Sequence, residues 1–184
     1  MFIQTEQTPN PASLKFLPGC EVTGGRAAEF RDAQKARADS PLAARLFLIP
    51  GVTGVFLGAD FVTVSRADDF DWSLLKPQIL GALMEHFSTG QKVLTNEDAA
   101  DVSEDDDEIV KQIKEILEKR VRPIVAQDGG DIVFGSFEDG IVYLHMHGAC
   151  AGCPSSTATL KNGVENMLRH FIPEVVEVRA VPAA

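Results

Sequence analysis

Cys150 and Cys153 are the residues of this chain whose type and spacing could do chemistry. They stand in Gly148-Ala149-Cys150-Ala151-Gly152-Cys153-Pro154, two thiols at what reads as the mouth of a helix. There the unpaired backbone N–H groups and the helix dipole favour thiolate over thiol, so the pair is suited to a metal, a cluster or a dithiol cycle. Gly148 and Gly152 keep side-chain bulk away and let the backbone approach an inorganic sulfide or a second subunit. Spacing alone does not choose among metal or cluster binding, dithiol redox and a structural role.

The surroundings weigh these readings. A strand, a C-x-x-C and a helix also build a thioredoxin-like site, but only 31 residues follow Cys153, where that fold needs most of its sheet after the motif. A structural zinc site wants four ligands in one tetrahedron, and one chain's motif offers two. His145 and His147 alternate along the preceding strand, share a face with Tyr143 and could complete such a site, although histidines on a strand's outer face are more often solvated. An iron–sulfur cluster also asks for four thiolates. Cys20, beside Pro18-Gly19 in the first half, reads as a small, partly buried residue rather than a ligand. The simplest route to four sulfurs is a two-fold dimer in which each chain lends Cys150 and Cys153 to one bridging cluster, which subunit separation or incoming thiolates then release. A dithiol oxidoreductase and a zinc-binding interaction module stay open as alternatives.

The elements that must position the two thiols follow from periodicity. Ile109, Ile113, Ile116, Leu117 and Val121 recur at helical spacing, Ser103 is placed to cap that helix, and Pro123 should end it. Asp128-Gly129-Gly130-Asp131 reads as a turn, with positive φ at both glycines and an aspartate bonding local N–H groups or pairing with Arg120 or Arg122. Ile132–Phe137 and Ile141–His147 read as paired strands around Glu138-Asp139-Gly140, with Val142, Leu144 and Met146 on one face. Pro154 suits the first position of a helix that carries Leu160, Val164, Met167, Leu168 and Phe171, with Lys161 and Asn162 facing solvent, until Pro173. Val175–Val181 closes a three-stranded sheet. The order is α-β-β-α-β.

The first half reads as a separate α+β domain of about 90 residues, within the usual domain range. Its elements are extended segments around Thr8-Pro9-Asn10-Pro11, a helix over about Ala27–Ala38, a short helix after Ser40-Pro41, a hairpin over Val52–Ser65 turning at Gly58-Ala59-Asp60, and a helix opened by Asp71. Glu97, Asp98, Asp101 and the run Glu104-Asp105-Asp106-Asp107-Glu108, with no Lys or Arg among them, mark a self-repelling joint. The expected organisation is therefore α+β: two small α/β-sandwich domains, residues 1–94 and 107–184, joined by an acidic flexible linker over 95–106. The first domain is expected to recognise clients or donors and to be dispensable for cluster binding.

The 184 residues carry a formal charge of −10, which argues against a nucleic-acid or anionic-membrane partner. Three cysteines without regular spacing do not form a disulfide framework and fit a reducing compartment. No apolar run is long enough to span a bilayer. Met1–Pro18 lacks the pattern of a secretory signal or an organelle transit sequence, so a cytoplasmic chain is expected.

The sequence resembles the Nfu family of iron–sulfur carriers, related to the carboxy-terminal domain of the scaffold NifU. The second half carries the resemblance in Arg122-Pro123, Asp128-Gly129-Gly130-Asp131, Phe137-Glu138-Asp139-Gly140, the cysteine loop through Ser156, and Thr159-Leu160-Lys161-Asn162-Gly163-Val164-Glu165. In the first half it rests on Thr8-Pro9-Asn10-Pro11, Leu14-Lys15-Phe16, Ser40-Pro41-Leu42 and Val55-Phe56-Leu57-Gly58-Ala59-Asp60-Phe61. The resemblance implies a non-catalytic carrier with a 4Fe-4S cluster bridging a homodimer through Cys150 and Cys153. It implies an upstream cluster scaffold as donor and apo-proteins as acceptors, such as aconitase-like dehydratases and lipoyl synthase. It assigns no role to Cys20, His145 or His147. Mitochondrial members begin with a transit peptide, so the expectation is a bacterial cytoplasmic member, or a mitochondrial matrix protein only as a trimmed mature form.

Overall fold

Apolar alternation in the second half and longer apolar runs in the first build two sheets, each in its own unit. The computed structural model describes residues 2–95, 106–151 and 154–181. The chain divides into two compact units, residues 1–100 and 101–184. Ser103, and residues 96–105 of the acidic joint, lie outside the described residues.

In the first unit β1 (Gln4–Gln7), β2 (Ser13–Leu17), β3 (Ala28–Phe30), β4 (Val52–Leu57) and β5 (Val62–Arg66) form one antiparallel sheet in the order β1-β2-β5-β4-β3. Helices α1 (Ala33–Asp39), α2 (Pro41–Leu46) and α3 (Trp72–Thr89) accompany it. Phe16, Leu46, Leu57, Val64, Ile79 and Leu83 are fully buried in its core. The expected helix over Ala27–Ala38 is corrected at its first third: Ala28–Phe30 is a strand paired with Val55–Leu57, and Phe30 is buried. Pairing with a neighbouring strand overrides the local preference, and α1 starts only after Asp32 accepts a hydrogen bond from the Gln34 N–H.

The second unit contains α4 (Glu108–Ile116), a π-turn (Leu117–Val121), α5 (Arg122–Gln127), β6 (Gly130–Glu138), β7 (Ile141–Gly148), α6 (Pro154–Phe171) and β8 (Glu177–Val181). The central strand β7 is antiparallel to β6 and parallel to β8. Parallel neighbours need a crossover, which α6 supplies, so the segment between β7 and α6 is the loop of a β-α-β unit. Val142, Leu144 and Met146 are buried with Ile113, Leu168 and Val178, while Tyr143, His145 and His147 take the other face, as alternation requires. Asp139 and Gly140, both at positive φ, make the two-residue hairpin turn.

The first helix of this unit does not stop at Pro123. An uninterrupted α-helix there would set the proline ring against the carbonyl four residues earlier. Instead the Arg122 N–H bonds the carbonyl of Leu117, five residues back. This widened turn absorbs one residue and puts Pro123 in the first turn of α5, where no N–H is required. Its start is at Glu108, with Asp107 before it making no side-chain cap.

Candidate cluster-binding site

Cys150 is held where the carboxyl end of β7 meets the end of α5. The helix α5 stops at Asp128, and Gly129 takes φ 79°, a left-handed position that glycine occupies without steric cost. Its N–H bonds the carbonyl of Ala126 at 3.1 Å. Gly130 then opens β6 directly opposite Gly148, the last residue of β7. Gly148 is left-handed as well, with φ 66°, and turns the chain back so that the Ala149 N–H donates to the carbonyl of Gly129 at 3.1 Å. The cysteine loop is thus tied by its backbone to the glycine pair.

Gly130 serves by space rather than by φ. A Cβ built on it would meet the Cys150 Sγ at 2.5 Å and the His147 carbonyl oxygen at 2.7 Å. The expectation of positive φ at both glycines therefore holds for Gly129 alone, and Gly130 is the floor on which the thiol rests. Cys150 is 4% exposed and belongs to the same core cluster as Val121, Val125 and Met146. On the other side of the loop, the Thr157 hydroxyl of α6 donates to the Cys150 carbonyl at 3.1 Å.

The glycine turn is braced by a buried ion pair. Asp131, 5% exposed, accepts from the Arg122 Nε and Nη2, both at 2.8 Å, and from the Ile132 N–H at 2.8 Å. Arg122 also donates to Glu118 at 2.6 Å. The Asp131 hydrogen bonds, ahead of all other effects, raise the Arg122 pKa above its ordinary value, so its charge is permanent. Of the four pairings left open by sequence, Arg122 with Asp131 is the one found.

Cys153 and Gly152 lie outside the described residues. His145 and His147 project from β7 on the face opposite Val142, Leu144 and Met146, and among the described residues neither is gathered with Cys150 into a group of three ligands. The His145 ring lies over Gly135, and its buried Nδ1 finds no hydrogen-bond partner among the described residues. Cys20 belongs to the other unit and is exposed, against the expectation of partial burial. It follows Gly19, which takes φ 76°. Among the described residues no three His, Cys, Asp or Glu side chains gather to hold a metal ion. A groove of about 750 Å³ in the first unit, lined by Arg37, Arg45, Leu48, Pro77 and Glu85 among others, offers no thiol or imidazole. No helix among the described residues is long and apolar enough to cross a membrane.

Residues 3–90 match the family described as Scaffold protein Nfu/NifU N terminal, and residues 113–179 the NifU-like domain. The chain belongs to the Nfu family. A relative in Drosophila sechellia, called NFU1 iron-sulfur cluster scaffold homolog, mitochondrial, is 51% identical over 185 residues, which cover 98% of this chain and 65% of that one. The protein of the same name in Drosophila erecta is 53% identical over 186 residues, with the same coverage. This Nfu chain thus spans 65% of the length of these relatives. The NMR structure of a NifU-like protein from Saccharomyces cerevisiae is similar at 30% identity, covering 53% of this chain and 87% of that one with a TM-score of 0.48. The relatives are named as scaffolds, not as enzymes. Their names also overturn the expectation of a bacterial cytoplasmic protein, since they are called mitochondrial. That expectation leaned on the residues after Met1, and where a sequence begins does not report its compartment.

Proposed function

We propose that this chain is an iron–sulfur cluster scaffold and carrier, which holds a 4Fe-4S cluster as cargo between two copies of itself and passes it to apo-proteins. The observation that carries this reading is the tethered loop that presents Cys150 at the β7–α6 junction of a NifU-like domain. In it, Cys150 and Cys153 of each chain supply the four thiolates that such a cluster takes. One chain brings two, and in this reading a second copy supplies the other two.

The donor set fits this cargo. Soft thiolate sulfur suits iron–sulfur clusters. Release is ligand exchange without a redox step. Each thiolate of an acceptor forms one iron–sulfur bond as one cysteine of the carrier leaves and takes a proton from solvent. Acceptors are apo iron–sulfur proteins, aconitase-like dehydratases and lipoyl synthase among them, and the donor is an upstream scaffold. The first unit serves client or donor recognition.

The test is anaerobic reconstitution with iron and sulfide, read as visible absorbance, iron and sulfide per chain, and size by chromatography, for the wild type, Cys150→Ala and Cys153→Ala. A brown dimer with one four-iron cluster, lost in both variants, supports the reading. A colourless monomer that retains zinc sinks it.

A further inference from the structure

The thiol proposed to bind cargo is not on the surface. Cys150 is 4% exposed, its Sγ occupies the space left by the missing side chain of Gly130, and it belongs to the core cluster that includes Val121, Val125 and Met146. Among the contacts that hold the loop in that state are the Ala149 N–H on the Gly129 carbonyl and the Thr157 hydroxyl on the Cys150 carbonyl. A cluster bridging two chains lies at a surface, so a sulfur packed in one chain's core cannot reach it without moving.

We propose that Gly130 and Thr157 are positioning residues that keep Cys150 sheltered in the cluster-free chain, and that loading begins with release of this cysteine from the Gly130 floor. The proposal rests on the reading of Cys150 as a cluster ligand for its purpose, but not for its geometry. Sheltering serves a carrier in two ways. It withholds one ligand of the pair from oxidants and stray metals until a second chain is present, and it returns the thiol to the core on delivery, which opposes recapture of the cargo. Gly130 makes the pocket, because a Cβ there would stand 2.5 Å from the Sγ. Thr157 sets how readily the loop opens, because its hydroxyl joins the loop to the first turns of α6.

The experiment is alkylation of the full-length, iron-free chain by iodoacetamide at fixed pH, in a Cys153→Ser background so that the reacting thiol on the loop peptide is Cys150, with peptide mass spectrometry. Each cysteine is normalised to its own rate in urea, and exposed Cys20 serves as the internal reference. In the parent chain Cys20 should react near its unfolded-state rate and Cys150 at least about tenfold below its own, as for a group that reacts only on local opening. Thr157→Val should speed Cys150 by about two- to tenfold, the population equivalent of one net hydrogen bond, and leave Cys20 unchanged. Gly130→Ala should bring Cys150 close to its unfolded rate. Its Cβ also meets the backbone oxygen of His147, so if this variant does not fold the Thr157→Val result decides. Cys150 reacting at its unfolded rate in the parent chain, or indifferent to Thr157→Val, overturns the proposal. Because no iron is present, a sheltered Cys150 in a chain that never takes up a cluster would sink the carrier reading and the loading step with it, and leave the sheltering by Gly130 and Thr157 standing.

Discussion

Arg122→Met should destabilise the second unit by about 2 kcal/mol while leaving the first untouched, and the magnitude follows from one ion pair. Asp131 is 5% exposed, and its carboxylate takes two guanidinium hydrogen bonds at 2.8 Å and one from the Ile132 N–H. Removing one partner of a buried pair costs about 3–5 kcal/mol, because a charge is left without compensation. The Arg122 side chain is 29% exposed, so water reaches the pair and about 2 kcal/mol is the discounted figure. Asp131→Asn should cost about 1 kcal/mol. The double variant should cost less than the two singles combined, since it buries no lone charge. Urea titrations separate the units: Trp72, the sole tryptophan, stands in the first, so its emission follows that unit while far-UV circular dichroism follows both. With a slope of about 1 kcal/mol per molar urea, the dichroism phase not shared by Trp72 should move down by about 2 M. If that phase keeps its midpoint in Arg122→Met, the pair does not brace the glycine turn and the account of how Gly130 is held fails.

Three further outcomes are expected. His86, fully buried in α3, has its pKa lowered by desolvation first and by the Arg45 charge second; the backbone at Gln91 opposes this without reaching hydrogen-bond geometry. A depressed histidine pKa means the unfolded chain binds the proton more readily, so stability is full above the ordinary value of 6.5 and falls as pH drops below it, by at most about 1.4 kcal/mol per pH unit. The Trp72 urea midpoint should therefore drop between pH 7 and 5 in the wild type, and His86→Leu should flatten that slope; an unchanged slope would place the titration elsewhere. A chain lacking residues 1–95 should still take up iron and sulfide anaerobically, and failure to do so would show that the first unit is needed for cluster binding. Ser40→Ala should lower the Trp72 midpoint, because this buried hydroxyl accepts from the Ala43 N–H at 3.1 Å and donates to the Val93 carbonyl at 2.6 Å, a capped helix start worth about 1–2 kcal/mol; an unchanged midpoint would mean that the cap contributes nothing.

The α-β-β-α-β order of the second unit was legible because it has local signs. Alternation put Val142, Leu144 and Met146 inside and His145 and His147 outside, and the Asp139-Gly140 pair named its own hairpin. What escaped were effects of contact between distant segments. Ala28–Phe30 joins a sheet only because β4 is there to receive it. Pro123 reads as a stop until a π-turn absorbs the extra residue before it. Gly130 looked like a turn glycine because sequence distinguishes neither a residue that must bend from one that must be small, nor a neighbour twenty positions away from empty space.

That last confusion matters for the site. Two adjacent glycines in one motif do different jobs: Gly129 ends a helix and Gly130 receives a sulfur. The difference predicts opposite responses to substitution. At Gly129 any side chain is strained by φ 79°, whatever its partner at position 150. At Gly130 part of the strain comes from the Cys150 sulfur and should be relieved when Cys150 is shortened to alanine. A coupling between positions 130 and 150 in urea midpoints, with none between 129 and 150, is the expected pattern. If Gly130→Ala and Cys150→Ala instead add independently, the sulfur does not rest on Gly130, and the glycine pair returns to being a turn.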